Sequence, residues 1–304
     1  MGFLWGGILM SKRNYHDLSI NERAIFNQRL FKICIYTAMI IIGIILIFPY
    51  FYMVMKSLMS SEEVVGPVKL FPNKLMLSNY VDLFTSNNKY LKAALNSLYI
   101  ILFNIIAVPL SASIIAFSFA KLKWKGKNLM FALMMSTMMI PPTVTQIPLY
   151  IMYTNMGWID TLLPFTIPNL FGGGAFNIFL IRQFMKGIPK NIEDAARIDG
   201  ASTFRIYWNI ILPLCKPVLI YIMVTIFIVN WGDFYGPLIY MSSSDAPRTL
   251  AYVVFLDSTE STAASQMAHM RMAGGVFMTI IPGILFMLFQ KQLIEGVTMT
   301  GSKG

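Results

Sequence analysis

The stretch "KNIEDAARIDGASTFRIYWNIILPLCKP", residues 190–217, is a polar and partly charged segment in a chain otherwise dominated by apolar runs. It follows Pro189, and proline suits the first turn of a helix because its missing N–H would be unpaired there anyway. Glu193 and Asp194 fall in the first turns, where acidic groups favour the positive end of the helix dipole. Gly200 can adopt the left-handed conformation that ends a helix. A short helix is therefore predicted between Pro189 and Gly200.

A second short helix is predicted after this glycine. Ser202 can cap its start, and it would run through Phe204 and Tyr207 until Pro213 and Pro217 mark the turn into the next apolar run. The first helix has a small, shallow face suited to a groove on another protein, formed by Ile192, Ala195, Ala196 and Asp199. We call the pair, about residues 189–213, the bracket. Its residues alone fit two interpretations, a docking element or an amphipathic helix pair resting at lipid headgroups.

The rest of the chain indicates a membrane protein. It has 304 residues, of which 56% are hydrophobic and only 12% charged, whereas soluble domains carry about twice that charged fraction. Each of its long apolar runs is long enough for a helix that crosses a bilayer, which needs about 20 residues. The six runs are 33–55, 93–120, 128–159, 161–181, 217–241 and 272–290. They contain one charged residue, Asp233, in the run 217–241. We predict an all-α polytopic membrane protein with six transmembrane helices, since no strand-length alternation indicates a barrel.

Lys and Arg residues predict the orientation. Seventeen lie on the side that holds the N-terminal arm, the loop 121–127, the segment 182–216 around the bracket and the end of the chain from residue 291, against seven on the other side. Basic residues favour the cytoplasmic side, so both termini and the bracket are expected there. The predicted division is a cytoplasmic arm (1–32), a six-span domain (33–294) and a cytoplasmic tail (295–304). The net charge of +10 then indicates attraction to anionic lipid and no nucleic-acid partner.

The opening "MGFLWGGILM", residues 1–10, is apolar but too short to span a bilayer. It lacks a basic segment at its start, so no cleaved signal peptide is expected. Translation from Met10 instead of Met1 is an open alternative.

The sequence lacks the residues that several classes of chemistry require. No GxxxxGK[ST] motif occurs, so the chain is not itself a P-loop ATPase. Two histidines and two separated cysteines give no metal-ligand spacing, and no nucleophile and base pair lies at membrane depth. Ion-driven carriers usually need intramembrane ionisable residues, and only Asp233 qualifies. We therefore expect no enzyme activity, no bound metal or cofactor, and an energy source outside this chain.

The bracket resembles the EAA loop of binding-protein-dependent ABC importer permeases. In "EDAARIDGASTFRIYWNIILPLCKP", residues 193–217, Glu193, Gly200, Leu212 and Pro213 fit the family pattern, while Asp194 stands where that pattern has alanine. Further stretches are similar to permeases of the maltose and oligosaccharide branch: "AFSFAKLKWKGKNLMF" (116–131), "FLIRQFMKGIPKNIEDAARIDGAS" (179–202), "NWGDFYGPLIY" (230–240) and "KQLIEGVTMTGSKG" (291–304). The likeness covers the chain from about residue 30 to its end.

This resemblance implies a type I ABC importer permease fold that moves a sugar or oligosaccharide inward. It implies a second homologous permease, two ATPase subunits that bind ATP and Mg²⁺, and an extracytoplasmic sugar-binding protein. The bracket would be a coupling helix seated on an ATPase, with contacts from Glu193, Asp194, Ala195, Ala196, Asp199, Gly200, Ala201, Leu212 and Pro213. The tail would reach the same subunit through Gly301, Ser302, Lys303 and Gly304.

The segment "NWGDFYG", residues 230–236, is a candidate substrate path. Aromatic faces cover the C–H surfaces of sugars, and amides and carboxylates bond their hydroxyls, a mixture supplied here by Asn230, Trp231, Asp233 and Tyr235. Alternatively, the aromatic residues belong to an interfacial belt and Asp233 pairs with a basic group. Two other functions remain open, an importer for a related solute such as glycerol phosphate and a self-contained carrier or channel.

Overall fold

The structure is a computed structural model that describes residues 20–85, 88–259 and 268–301. It divides into two compact units, residues 1–55 and 56–304. The described part of the first unit is helix α1 (Ile20–Ser57), whose last two residues belong to the second unit. Helix α1 contains Pro49, and Phe48 stacks on Tyr52. The described residues are nearly all helical and contain no strand, which confirms the all-α prediction.

The second unit is built from helices of very different lengths. They are α2 (Ser61–Val65), α3 (Ser78–Thr85), α4 (Lys89–Lys121), α5 (Lys127–Ser136), α6 (Pro142–Asn155), α7 (Ala175–Gly187), α8 (Lys190–Ile198), α9 (Thr203–Ile206), α10 (Leu212–Leu214), α11 (Lys216–Gly232), α12 (Tyr235–Tyr240), α13 (Leu250–Thr259) and α14 (Ala268–Gly301). Helix α4 packs against α7 and α11, and α11 packs against α14. The long helix α4 therefore lies at the centre of the unit.

Among the described residues, four helical segments are long and apolar enough to cross a membrane, or five if one bent pair counts as a single span. They are Asn27–Ser57, Lys89–Lys121, Leu163–Gly187, Ala268–Leu293 and the bent pair Thr203–Leu214 with Lys216–Gly232. The expected run 128–159 is missing from this set because it is broken. Helices α5 and α6 are separated by a 3₁₀ turn, Thr137–Met139, and by extended backbone at Ile140 and Pro141. Consecutive prolines, Pro141 and Pro142, remove two helical N–H donors at this point.

Two hydrophobic clusters hold the second unit together. The first joins the C-terminal half of α4 to α7 and to the segment before α11. Its fully buried members include Ala112 and Ala116 of α4, Ile181 of α7, and Ile211 and Cys215. Small alanines let the neighbouring backbones approach closely. Cys215 packs inside this cluster.

The second cluster lies toward the N-terminal end of α4. It joins residues from the four helices α3, α4, α11 and α13, namely Leu83, Tyr90, Trp231, Leu250 and Val253. At its edge the carboxylate of Asp257 accepts hydrogen bonds from Lys89 Nζ at 2.5 Å and from Tyr90 Oη at 2.6 Å. These bonds tie α13 to the start of α4.

The predicted boundaries of the terminal segments do not coincide with helix ends. Helix α1 begins at Ile20, so the expected border between arm and span at residue 33 lies inside a helix. Helix α14 continues to Gly301, past the expected start of the tail at residue 295. Both candidate start sites, Met1 and Met10, lie outside the described residues.

Candidate functional site

The first helix of the bracket is α8, and it ends as the sequence predicts. Gly200 has φ +77°, in the left-handed region. The N–H of Gly200 donates to Arg197 O at 3.1 Å, and the N–H of Ala201 donates to Ala196 O at 2.9 Å. This pair of bonds is the Schellman motif, which satisfies the last carbonyls of a helix. The turn between the two halves of the bracket is therefore fixed by local backbone geometry.

The second half of the bracket is a composite helix. Ser202 Oγ accepts the N–H of Arg205 at 3.3 Å and so caps α9, as predicted. A π-helical turn, Tyr207–Ile211, follows, and then the short α10. The axis then bends by 71° between Leu214 and Lys216 into α11. The predicted turn into the next apolar run is thus present, between the two prolines that indicated it.

Two polar contacts fasten the bracket to α4. Lys121 Nζ, at the end of α4, lies 2.5 Å from Glu193 Oε1 and donates to Ile188 O at 3.0 Å. Both charged side chains are more than nine-tenths buried. Tyr207 Oη lies 2.8 Å from Ser113 Oγ. A displacement of the bracket would therefore be transmitted directly to α4.

The structure divides the predicted coupling residues into two groups. Glu193 and Ala196 are buried, with 4% and 8% of their surfaces exposed, so neither presents a free surface to another protein. The Lys121 ammonium holds Glu193 inward and Ala196 lies on the same inner face, while their contact with an ATPase stays a prediction. The exposed members are Asp194, Ala195, Asp199, Gly200 and Pro213, while Ala201 and Leu212 are half-buried.

The predicted docking face of α8 included Ile192 and Ala195 but omitted one exposed apolar residue, Ile198. Ile198 is 87% exposed and Ile192 is 38% exposed. Together with Ala195 they give this charged helix an apolar outer face. An isoleucine placed between Arg197 and Asp199 was the available signal, since a purely solvated helix face needs no such residue.

The predicted tail contacts are covered only in part. Gly301 is the last residue of α14. Ser302, Lys303 and Gly304 lie outside the described residues.

Asn230, a predicted path residue, belongs to an amide network inside the unit. Its Oδ1 accepts from Asn104 Nδ2 at 2.9 Å, and its Nδ2 donates to Ile226 O at 2.8 Å. Asn104 Oδ1 accepts from Asn169 Nδ2 at 3.1 Å, and both asparagines donate to Phe165 O at 2.9 Å. Asn104 is fully buried. The network joins α4, α11 and the irregular segment before α7, and sequence spacing gave no signal for it.

The other path residues occupy different environments. Trp231 is 5% exposed and its indole N–H donates to Met278 O at 2.8 Å, so it packs against α14. Asp233 pairs with no basic group among the described residues, and its carboxylate accepts the N–H of Gly236 at 3.0 Å at the start of α12. Tyr235 is 52% exposed, and its hydroxyl donates to Gln146 Oε1 at 3.2 Å. Of the four residues, Tyr235 offers the most open surface.

Curated relatives resemble this chain over most of its length. The arabinooligosaccharides transport system permease protein AraQ of Bacillus subtilis is 28% identical, over 90% of this chain and 96% of the relative. The protein of the same name from Halalkalibacterium halodurans is 31% identical, over 86% of this chain and 93% of the relative. The sn-glycerol-3-phosphate transport system permease protein UgpE of Rhizobium meliloti is 29% identical, over 86% and 94%.

Solved structures share the fold. One chain in the crystal structure of a bacterial ABC transporter involved in the import of the acidic polysaccharide alginate superposes with a TM-score of 0.73 at 20% identity, covering 87% of this chain and 97% of that one. A chain of the bacterial alginate ABC transporter in complex with alginate pentasaccharide-bound periplasmic protein superposes with a TM-score of 0.64 at 14% identity. The match covers 88% of this chain and 95% of that one. The family model for the binding-protein-dependent transport system inner membrane component matches residues 110–298. This range includes the bracket and the candidate substrate path, residues 230–236. The chain therefore belongs to the family of inner membrane components of binding-protein-dependent transport systems.

Proposed function

We propose that the chain is a permease subunit of an ATP-driven ABC importer and that its cargo is a sugar or oligosaccharide. Membership of the family makes it a non-catalytic transport component. The observation that carries the coupling role is the buried pair of Lys121 and Glu193, which fixes the bracket to α4 while leaving an apolar outer face free. The names of three relatives support the sugar, since two concern arabinooligosaccharides and one concerns starch degradation products.

In this proposal the outer face of α8 seats in a cleft of an ATPase subunit. Ile198, Ile192 and Ala195 would give the apolar contact, and Asp199 and Gly200 would complete the edge. When ATP and Mg²⁺ close the two ATPase subunits, the bracket is pulled as a rigid lever. The buried pair with Lys121 passes this motion to α4, and the bend before Lys216 passes it to α11. This chain binds neither ATP nor Mg²⁺ itself.

The proposal places six crossings in the cell membrane, with the broken pair α5 and α6 as the sixth. Both termini and the bracket face the cytoplasm, which the concentration of basic residues on that side supports. The end of the chain, Gly301 to Gly304, would reach the ATPase beside the bracket. The remaining partners are a second homologous permease and an extracytoplasmic sugar-binding protein. A periplasmic binding protein accompanies the structurally similar alginate transporter, which supports that partner.

Reconstitution tests the proposal. The chain is co-expressed with a candidate second permease, ATPase and binding protein, purified as a complex and placed in liposomes. We expect ATP-dependent uptake of labelled arabinotriose or maltotriose that requires the binding protein. Uptake by the chain alone, or no associated ATPase, would instead favour a self-contained carrier or channel.

Glycerol phosphate is the second candidate cargo, because a glycerol-phosphate permease is among the relatives. The same liposomes are therefore given labelled sn-glycerol 3-phosphate. Uptake of this compound without uptake of either sugar would overturn the proposed cargo and retain the importer.

A further inference from the structure

Two interrupted helical segments meet at one polar contact. The hydroxyl of Tyr235 donates to Gln146 Oε1 at 3.2 Å. Tyr235 begins α12 just after α11 ends at Gly232, and the backbone between them is extended at Asp233. Gln146 lies in α6, one turn after the break that separates α5 from α6. Solute sites in transporters form where discontinuous spans meet near the middle of the bilayer.

The depth of this contact excludes a lipid-facing surface. Gln146 precedes the end of α6 at Asn155 by nine residues, which corresponds to about 13 Å of helix. In a hydrocarbon core of about 30 Å this position is deep, given the proposed crossing. The backbone at Ile140 and Pro141 is extended there and exposed on this chain. Irregular backbone at this depth is tolerated only inside protein or beside water, because lipid offers no hydrogen bonds.

The side chains around the contact suit a neutral sugar. Tyr150 follows Gln146 by one helical turn, is 38% exposed, and stacks on Tyr240 with ring centroids 6.3 Å apart. Tyr235 adds an exposed phenol. Ring faces cover the C–H surface of a sugar, while amide and phenol groups bond its hydroxyls. None of these four side chains is cationic, so they offer a phosphate no counter-charge of their own.

We propose that Gln146, Tyr150 and Tyr235 form a contact surface for a neutral sugar ring on the transport path. The inference rests on the proposed function and names the part of this subunit that touches the cargo. It retains Tyr235 from the expected path residues and assigns Asn230 and Trp231 to packing.

Water access is tested first, in the complete importer in liposomes. Gln146→Cys and Tyr150→Cys are made separately, with Cys34→Ser removing the exposed native thiol, while Cys215 is buried and stays. A charged methanethiosulfonate reagent should modify both positions at least about tenfold faster than Tyr99→Cys, on an exposed apolar face of α4. Arabinotriose or maltotriose, whichever the wild type transports, should slow both reactions when supplied with the binding protein. Unreactive cysteines would mean that lipid or the second permease covers this surface, and reactive but unprotected ones would mean that no sugar binds it.

Transport is tested second. We expect Tyr235→Phe and Tyr150→Ala to lower sugar uptake per ATP hydrolysed by roughly fivefold to tenfold, the effect of one hydrogen bond or one ring face. Binding-protein-stimulated ATPase activity should stay within about twofold, which damage to the fold would not allow. Tyr99→Phe is the matched control and should leave both quantities unchanged. If the wild type imports neither sugar, the proposed cargo is wrong. If the wild type imports one sugar and both variants take up as much of it per ATP, the proposed contact surface is wrong and the proposed cargo stands.

Discussion

At the scale of single residues, Gly200 has φ +77° in the turn of the bracket, and an added Cβ would meet open space. Any cost of substitution therefore comes from backbone conformation and not from crowding. A left-handed conformation costs a residue with a Cβ about 1–2 kcal/mol, and β-branched residues suffer most. We expect Gly200→Val to abolish transport and substrate-stimulated ATPase activity while membrane insertion persists. Uptake assays in liposomes check this.

Two matched variants make the result specific. Gly200→Asn should retain most activity, because asparagine tolerates the left-handed region. Gly187→Val, at the end of α7, meets no atom and lies outside that region, so it should behave as the wild type. Normal transport by Gly200→Val would refute the coupling role of the turn.

The buried pair of Lys121 and Glu193 supplies a second prediction. Lys121→Met leaves the carboxylate buried without its counter-charge, and breaking a buried pair in this way costs about 3–5 kcal/mol. We expect a clear fall in the Tm of the detergent-purified complex. Replacing both partners, as in Lys121→Met with Glu193→Leu, should recover much of the Tm but not the transport, since the apolar pair no longer fixes the bracket by charge.

The exposed pair of Lys190 and Asp194, 3.9 Å apart in the same helix, is the control. Lys190→Ala should leave the Tm nearly unchanged, because exposed pairs contribute little. An equal Tm for the Lys121→Met variant and the wild type would show that the bracket is held by its apolar contacts alone.

At the scale of helices, the outer face of α8 is the surface proposed to meet the ATPase. Ile198→Asp places a charge at its most exposed apolar position, where the helix itself is not strained. We expect the ATPase to be lost from the purified complex while the variant still inserts and retains the wild-type Tm as a permease pair. Pull-down with a tag on the permease measures this.

Val68→Asp is the matched control, because Val68 is 86% exposed and lies between α2 and α3, away from the bracket. It should co-purify with the ATPase at the wild-type ratio. Retention of the ATPase by Ile198→Asp would place the docking surface elsewhere.

The amide network of Asn104 joins three segments, so its loss should act on packing. Asn104→Leu removes the donor to Asn230 Oδ1 and one acceptor of Asn169 Nδ2, and a buried unpaired polar group costs about 1–3 kcal/mol. We expect a lower Tm and a lower yield of assembled complex, with normal uptake per assembled complex. Asn155→Leu, exposed at the end of α6, should change neither quantity. If Asn104→Leu instead keeps the wild-type Tm but lowers uptake per assembled complex, Asn104 and Asn230 would be assigned to the substrate path.

At the scale of the whole molecule, α14 ends at Gly301, close to the end of the sequence. Deleting residues 299–304 removes the final residues of this helix and the Lys-Gly end. Because the segment is too small and polar to form a core of its own, we expect its role to lie in assembly. ATP-driven uptake should fall while the fold of the remaining permease, measured by Tm, is kept. A truncated chain that assembles and transports normally would make the tail a frayed end.

The sequence by itself determined the features that depend on neighbouring residues. Apolar runs, the cap at Ser202, the left-handed glycine and the prolines at the bend are all local signals, and each is present in the structure. The proline pair at 141–142 was visible too, but its effect depends on whether neighbouring groups can hold a continuous span. Here the backbone separates into α5 and α6.

Only the tertiary structure decided which polar side chains are free. Asn230 meets Asn104 across 126 residues, and Tyr235 meets Gln146 across 89, so no local pattern links them. The sequence around Glu193 indicates an exposed acidic residue on a short helix. In the structure Glu193 is buried, and Lys121 from the end of α4 neutralises its charge. Spacing along a helix gives the face on which a residue lies. What covers that face is fixed by elements distant in sequence, because buried charges and amides take whichever partners the packing brings within hydrogen-bond reach.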